Sequence, residues 1–203
     1  LTRDLARVLC ELRSIPPAAQ DIARMGVIDT IGLILAARDE PVVQAVRRTV
    51  APLGQGTAAP GASVLFRAEH MRACDAAFVN ATLVNGTTHD DFLDKSHPGA
   101  VTVPAAIALA EEAARPGRDV LTAVVLGYDL TGRAWRGGPT MLPKFRASAD
   151  AGAIGAAAAA GKLLALGEHE LASALGLAGM FASGFGEGFL SGTMDVKLNV
   201  GWA

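Results

Sequence analysis

Three stretches of the chain gather the side chains that acid–base chemistry requires. Residues 85–100 carry Asn85, His89, Asp90, Asp91, Asp94, Lys95, Ser96 and His97. Residues 143–150 add Lys144, Arg146, Ser148 and Asp150, and residues 195–202 add Asp195, Lys197 and Asn199. Together they offer imidazole, carboxylate, guanidinium and ammonium groups. Removing a proton from carbon beside a carboxylate needs such a set, because the carbon acid is weak. A base must be helped by cations that stabilise charge building on the carboxylate oxygens. Arg and Lys also bind carboxylates in the ground state, Arg often through two parallel hydrogen bonds.

Each of these residues has a plainer reading. His89 among aspartates is, in an arbitrary protein, a solvated loop or capping residue. His89, Asp90, Asp91, Asp94 and His97 offer metal-ligand types, but none of the standard ligand spacings is present. Lys197 alone reads as a surface lysine. His70 and His169 stand beside Glu69 and Glu168 near expected helix starts and read as structural. The Gly155–Gly161 run of alanines is helix packing rather than a cofactor loop.

The elements that must position these groups are helices. Apolar spacing predicts helices over 1–13 (with Leu5, Val8 and Leu12 on one face), 17–38, 41–53, 69–84, 102–114, 119–135, 151–166 and 168–184. Asp29 is the only charge between Gly26 and Ala37, so that helix is expected to be wrapped on nearly all sides, burying Ile28, Ile31 and Leu35. Ala157 and Leu175 are expected in the core as well. Asn85-Gly86 reads as a left-handed helix stop. Thr102 is expected to cap a helix with Pro104 in its first turn, and Asp119 to cap the next. Residues 54–61, 137–150 and 184–192 read as loops, and 63–66 as a short strand. There is no βαβ rhythm, phosphate-binding glycine loop or internal repeat. The fold class is all-α.

Composition agrees. Of 203 residues, 51% are hydrophobic and 19% charged, which is ample for a core. Aromatics are 5%, so Ala, Leu, Val and Gly do the packing and the helices must approach closely. A net charge of −2 gives no nucleic-acid footprint. No secretory signal is evident at Leu1-Thr2-Arg3-Asp4, and Lys162 interrupts the longest apolar run, so no membrane span is expected. Cys10 and Cys74 lie in apolar helical patterns and read as free buried thiols, which suits a reducing cytoplasm.

Leu83-Val84-Asn85-Gly86, His89, Asp90-Asp91-Phe92, His97-Pro98-Gly99-Ala100 and Val103-Pro104-Ala105-Ala106 form an ordered set that resembles the MmgE/PrpD (2-methylcitrate dehydratase) family. Ile28 to Gly32, Val124 to Tyr128, Gly155 to Ala159, Ala174 to Gly179 and Val196 to Ala203 extend the resemblance over nearly the whole chain. It implies a large helical domain that, with a smaller α/β lid, frames an active site. The chain is expected to hold the N-terminal, helical part and to lack the lid, and so to have little or no activity by itself. It further implies a cytoplasmic homodimer acting on small polycarboxylates with no metal or organic cofactor. The activity implied is a dehydratase-type lyase. An isomerase, an epimerase or a decarboxylase of the same family remains open, as does a helical fragment that oligomerises without catalysis. By motif matching, His97 falls on the family's active-site His, Lys197 on its Lys and Asp91 on its Asp, with His89 beside them. Arg146, Ser148 and Asp94 are expected to bind substrate. Two departures stand out: the Asp-rich segment is shortened, and Arg146 stands where many members have His.

Overall fold

Prolines set where several helices begin. A proline in the first turn loses no intrahelical hydrogen bond, and its fixed φ already suits the helix. Pro17 opens α2 (Pro17–Ala36), Pro41 opens α3 (Pro41–Val50) and Pro98 opens α5 (Pro98–Glu112). Pro116 is the N-cap of α6 (Gly117–Gly137). The remaining helices are α1 (Thr2–Glu11), α4 (Ala73–Val84), α7 (Ala147–Leu163), α8 (Glu168–Phe181), the short α9 (Glu187–Ser191) and α10 (Asp195–Trp202). The computed structural model describes residues 1–12, 14–50, 61–138 and 144–203. The only sheet among the described residues is a hairpin in which β1 (Ala62–Ser63) pairs antiparallel with β2 (His70–Met71). The fold is all-α.

α5, α6 and α7 form the centre. α4 and α10 cover one side of it, and α1 and α8 another. One core cluster joins α3, α4 and the hairpin through Val43, Val46, Val64, Met71, Val79 and Val84. A second joins Val103, Ala106, Val124 and Leu163, and a third joins Leu9, Leu126, Leu130, Leu171 and Leu175. Small residues make the centre possible. At the α6–α7 crossing, a methyl group on Gly155 would overlap Thr131 Oγ1 and the Gly127 carbonyl.

Several expectations are corrected. α2 is not wrapped: Ile28 is 70% and Leu35 40% exposed, and Ile31 is half-buried. Its buried residues are Ala23, Thr30 and Ile34. Asp21 and Arg24, seven and four residues before Ile28, share its face and mark it as the outer one; the apolar stretch after Gly26 carries no such mark by itself. Ala157 is half-buried, whereas Leu175 is buried as expected. In α1, Val8 faces solvent, and the inner face is Ala6 and Leu9 flanked by Leu5, Cys10 and Leu12. Cys74 is exposed and Cys10 half-buried, so neither is a fully buried thiol.

Boundaries shift too. His70 lies in β2 rather than at a helix start, and α4 begins at Ala73. Asn85 ends α4 in right-handed geometry (φ −82°), so Asn85-Gly86 is no left-handed stop. Gly86 is needed for space instead, since a methyl group there would crowd Ala37 Cβ and the Leu83 carbonyl, both at 2.9 Å. α5 starts four residues before Thr102, which is buried, so Pro104 sits inside the helix. α6 starts at Gly117, ahead of Asp119. Residues 147–150 belong to α7, α9 lies within an expected loop, and Lys197 sits on α10. The expected loop at 54–61 lies outside the described residues except for Gly61, as do residues 139–143 of the second polar stretch.

Candidate active site

The loop between α4 and α5 is folded on itself by its own backbone. Leu93 and Ser96 exchange both of their backbone hydrogen bonds, at 2.9 and 3.0 Å. Thr88 and Asp94 adopt left-handed backbone geometry, with φ of 56° and 57°. That geometry is costly for a β-branched residue such as Thr88 and recurs at sites where the surrounding structure holds it. The loop turns Asp90 inward and His97 toward a cavity.

Asp90 is buried. Asn85 Nδ2 donates to both of its carboxylate oxygens, at 3.0 and 2.9 Å. His97 Nδ1 lies 3.3 Å from Asp90 Oδ2, an ion-pair distance without hydrogen-bond alignment. Burial raises the Asp90 pKa, and His97 and Asn85 oppose that rise without cancelling it. On the other side of Asn85, its Oδ1 accepts a hydrogen bond from Arg146 Nη2 at 3.2 Å. Asn85 therefore bridges the acidic and basic halves of the site. Burial lowers the Arg146 pKa, and Asp90 partly offsets this.

Arg146 is held from outside its helix. Its backbone N–H donates to the Gly184 carbonyl at 2.7 Å, and Gly186 N–H donates to the Lys144 carbonyl at 2.8 Å. This short zipper sets the N-cap of α7 against the segment before α9. In the first turn of α7, Ser148 Oγ accepts the His97 backbone N–H at 2.9 Å. His97 is thereby tied at its backbone to α7, with its ring beside Asp90. Its ring also packs on Phe92, with centroids 4.2 Å apart.

His97, Arg146 and Ser148 line one cavity of about 410 Å³, together with Lys95, Phe92, Phe145, Phe189 and Leu190. The other expected site residues lie elsewhere. Asp91 sits beneath the start of α5, accepting from Gly99 N–H at 3.1 Å and from Tyr128 Oη–H at 2.6 Å. Its pKa is also raised by burial, against these hydrogen bonds. Asp94 pairs with Arg136 at 2.8 Å on the surface. His89 is exposed and makes no side-chain hydrogen bond among the described residues. Lys197 reaches the Gly86 carbonyl from α10, with Glu40 at 4.0 Å. It thus contacts the residue next to Asn85 without lining the cavity.

Sequence reasoning did not single out Asp90 or Asn85 for the site. Spacing could have flagged Asp90: with His97 at the foot of a helix, either of two adjacent aspartates can face it, and they point in opposite directions. Among the described residues, no group of three or more His, Cys, Asp or Glu is arranged to hold a metal ion. No helix there is long and apolar enough to cross a membrane.

Comparison with known proteins agrees with the residues quoted above. No curated protein matches the chain individually. A family model does match, that of the MmgE/PrpD N-terminal domain, over residues 3–203. With essentially the whole chain accounted for, the protein belongs to the MmgE/PrpD family.

Proposed function

We propose that this chain carries the acid–base half of a lyase site, of dehydratase type, acting on a small polycarboxylate. The observation that supports it most is the pairing, in one cavity, of His97 backed by buried Asp90 with Arg146 backed by Asn85. Asp90 occupies the Nδ1 side of the imidazole, which leaves Nε2 for proton work. A neutral His97 takes a proton from the carbon beside a carboxylate. The carbon–hydrogen electron pair moves toward that carboxylate, whose growing charge Arg146 stabilises. Collapse forms the carbon–carbon double bond and breaks the bond to the neighbouring hydroxyl, which leaves as water with the proton returned from His97. Ser148 and Asp90 act as positioning residues, through the backbone and the ring of His97. Lys197 would act at the same site from the α10 side, beside Gly86. Asp91 positions the start of α5.

The protein is proposed to work in the cytoplasm as a homodimer without a cofactor, residues 1–203 forming the helical domain that faces a lid. The exposed apolar stripe of α2 (Ile22, Met25, Ile28 and Leu35) supports association, since soluble chains rarely leave such a stripe bare. Epimerisation would share the first proton step; decarboxylation would instead release carbon dioxide and take a proton from His97 onto the carbon that keeps the electron pair.

The test is turnover of citrate-like and aconitate-like substrates by a version of the protein that includes the lid, and by His97→Asn and Arg146→Gln in that version. The reading expects His97→Asn to lower kcat by at least about a hundredfold with little change in the unfolding midpoint. Arg146→Gln should raise KM as well. Unchanged kcat in His97→Asn would end the proposal.

A further inference from the structure

We infer that the cavity beside His97 selects a carboxylate bearing an apolar substituent, rather than a compact tricarboxylate. The inference rests on the reading of Arg146 as a carboxylate anchor and adds what lies around that anchor.

Two features of the cavity call for different chemistry. At its base the Arg146 guanidinium spends Nη2 on Asn85, while its Nε is shielded from water and has no hydrogen-bond partner among the described residues. A buried donor left unmade is costly, and an anion at the guanidinium edge would satisfy it. Lys95 adds a second positive charge, and Asp90, the carboxylate that acts on Arg146, already faces Asn85 and His97. The walls are the opposite. Phe92, Phe145, Phe189 and Leu190 surround the opening, and Phe189 and Leu190 are each more than 70% exposed. Large apolar side chains bare at a cavity mouth mark a surface that is covered in use.

A ligand of uniform polarity suits only half of this cavity. A tricarboxylate would set two of its charges against phenyl faces, with few donors to replace their water. A purely apolar occupant, such as a helix face of a second copy, would bury Arg146 Nε and Lys95 unpaired. A carboxylate with an alkyl or aryl arm satisfies both halves. The volume of about 410 Å³ is near the lower end for small-molecule sites, which suits one such molecule.

The experiment is a calorimetric titration of the full chain with succinate, butylsuccinate, benzylsuccinate and tricarballylate, repeated on Arg146→Gln and Phe189→Ala. Each buried methylene should tighten binding by about fourfold. Butylsuccinate and benzylsuccinate should therefore bind at least about tenfold tighter than succinate, and tricarballylate no tighter than succinate. Phe189→Ala should shrink the preference to within about threefold. Arg146→Gln should weaken all four. If Arg146→Gln weakens every probe but tricarballylate binds tightest, or affinity ignores the apolar arm, this inference fails and the carboxylate anchor stands. If Arg146→Gln changes nothing, the anchor fails and takes the inference with it. No binding by any probe, with self-association that Phe189→Ala abolishes, would mean that a second copy covers the cavity, and would overturn the inference.

Discussion

α7 and α8 follow one another in the chain and both are mainly apolar and glycine-containing, yet α7 buries twelve of its 17 residues and α8 two of its 14. α7 lies among α5, α6 and α8, so its faces meet other helices closely enough that alanine and glycine suffice. α8 packs on α7 and α1 and leaves Leu177, Met180 and Phe181 bare, Met180 at 82%. Burial is therefore a property of position in the bundle, and composition alone does not report it. The same contrast explains the site. The crowded start of α7 supplies Arg146 and Ser148, while the segment after α8 supplies Phe189 and Leu190 to the apolar cavity wall.

The strongest way to break that contrast is to enlarge α7 where it has no room. Gly155→Ala would drive a methyl group into Thr131 and the Gly127 carbonyl, which belongs to backbone and cannot turn aside. Overpacking of this kind should cost about 3 kcal/mol, read as a lowered urea midpoint with unchanged m-value. A loss below about 0.5 kcal/mol would mean that the α6–α7 crossing is not close-packed.

A second test uses the charge that α7 buries in its first turn. Burial pushes the Asp150 carboxyl up to about 6. The folded chain then holds that proton more tightly than the unfolded chain. Asp150 thus lowers stability progressively as pH rises from about 4 to about 6. Asp150→Asn should add about 1.5 kcal/mol at pH 7, allowing for partial solvent access, and almost nothing at pH 4. Equal gains at both values would rule out a titrating Asp150 as the cause.

Lys162, the charge near the end of α7, should matter less. Its Nζ donates to the Leu9 and Leu12 carbonyls at 3.1 and 2.7 Å, closing the C-terminal end of α1. Lys162→Met keeps the packing stem and removes these bonds. We expect a loss of about 1 kcal/mol, with hydrogen exchange accelerated in α1 and little changed in α6. Acceleration spread evenly over the chain would argue against a local tether.

The smallest effect is expected in α8. Nothing lies within 4 Å of a methyl group placed on Gly179, so Gly179→Ala should stabilise the helix by about 0.5 kcal/mol. A destabilisation would show that this face is covered, as it would be in a dimer, and repeating the measurement across protein concentrations would separate the two cases.

The sequence by itself determined α1 to α8 and their order, because periodic apolar residues and well-placed prolines act locally, but not α9 and α10, which carry too short a pattern. It also located the polar stretches in which His97, Arg146 and Ser148 lie, since so few other residues of catalytic type occur. What it could not determine was facing. In α7 and in the second half of α2 nearly every residue is apolar or small, so the 3.6-residue period leaves the inward direction open there, and Ile28 and Leu35 face solvent rather than the core. Nor could it choose between Asp90 and Asp91. Adjacent residues in a loop point apart, and only the packing of α5 against α6 decided that Asp91 meets Tyr128 while Asp90 is buried beside Asn85 and His97. Tertiary structure likewise brought Ser148, fifty-one residues away, to the His97 backbone. A contact of that range depends on how whole helices stack, which no local pattern encodes.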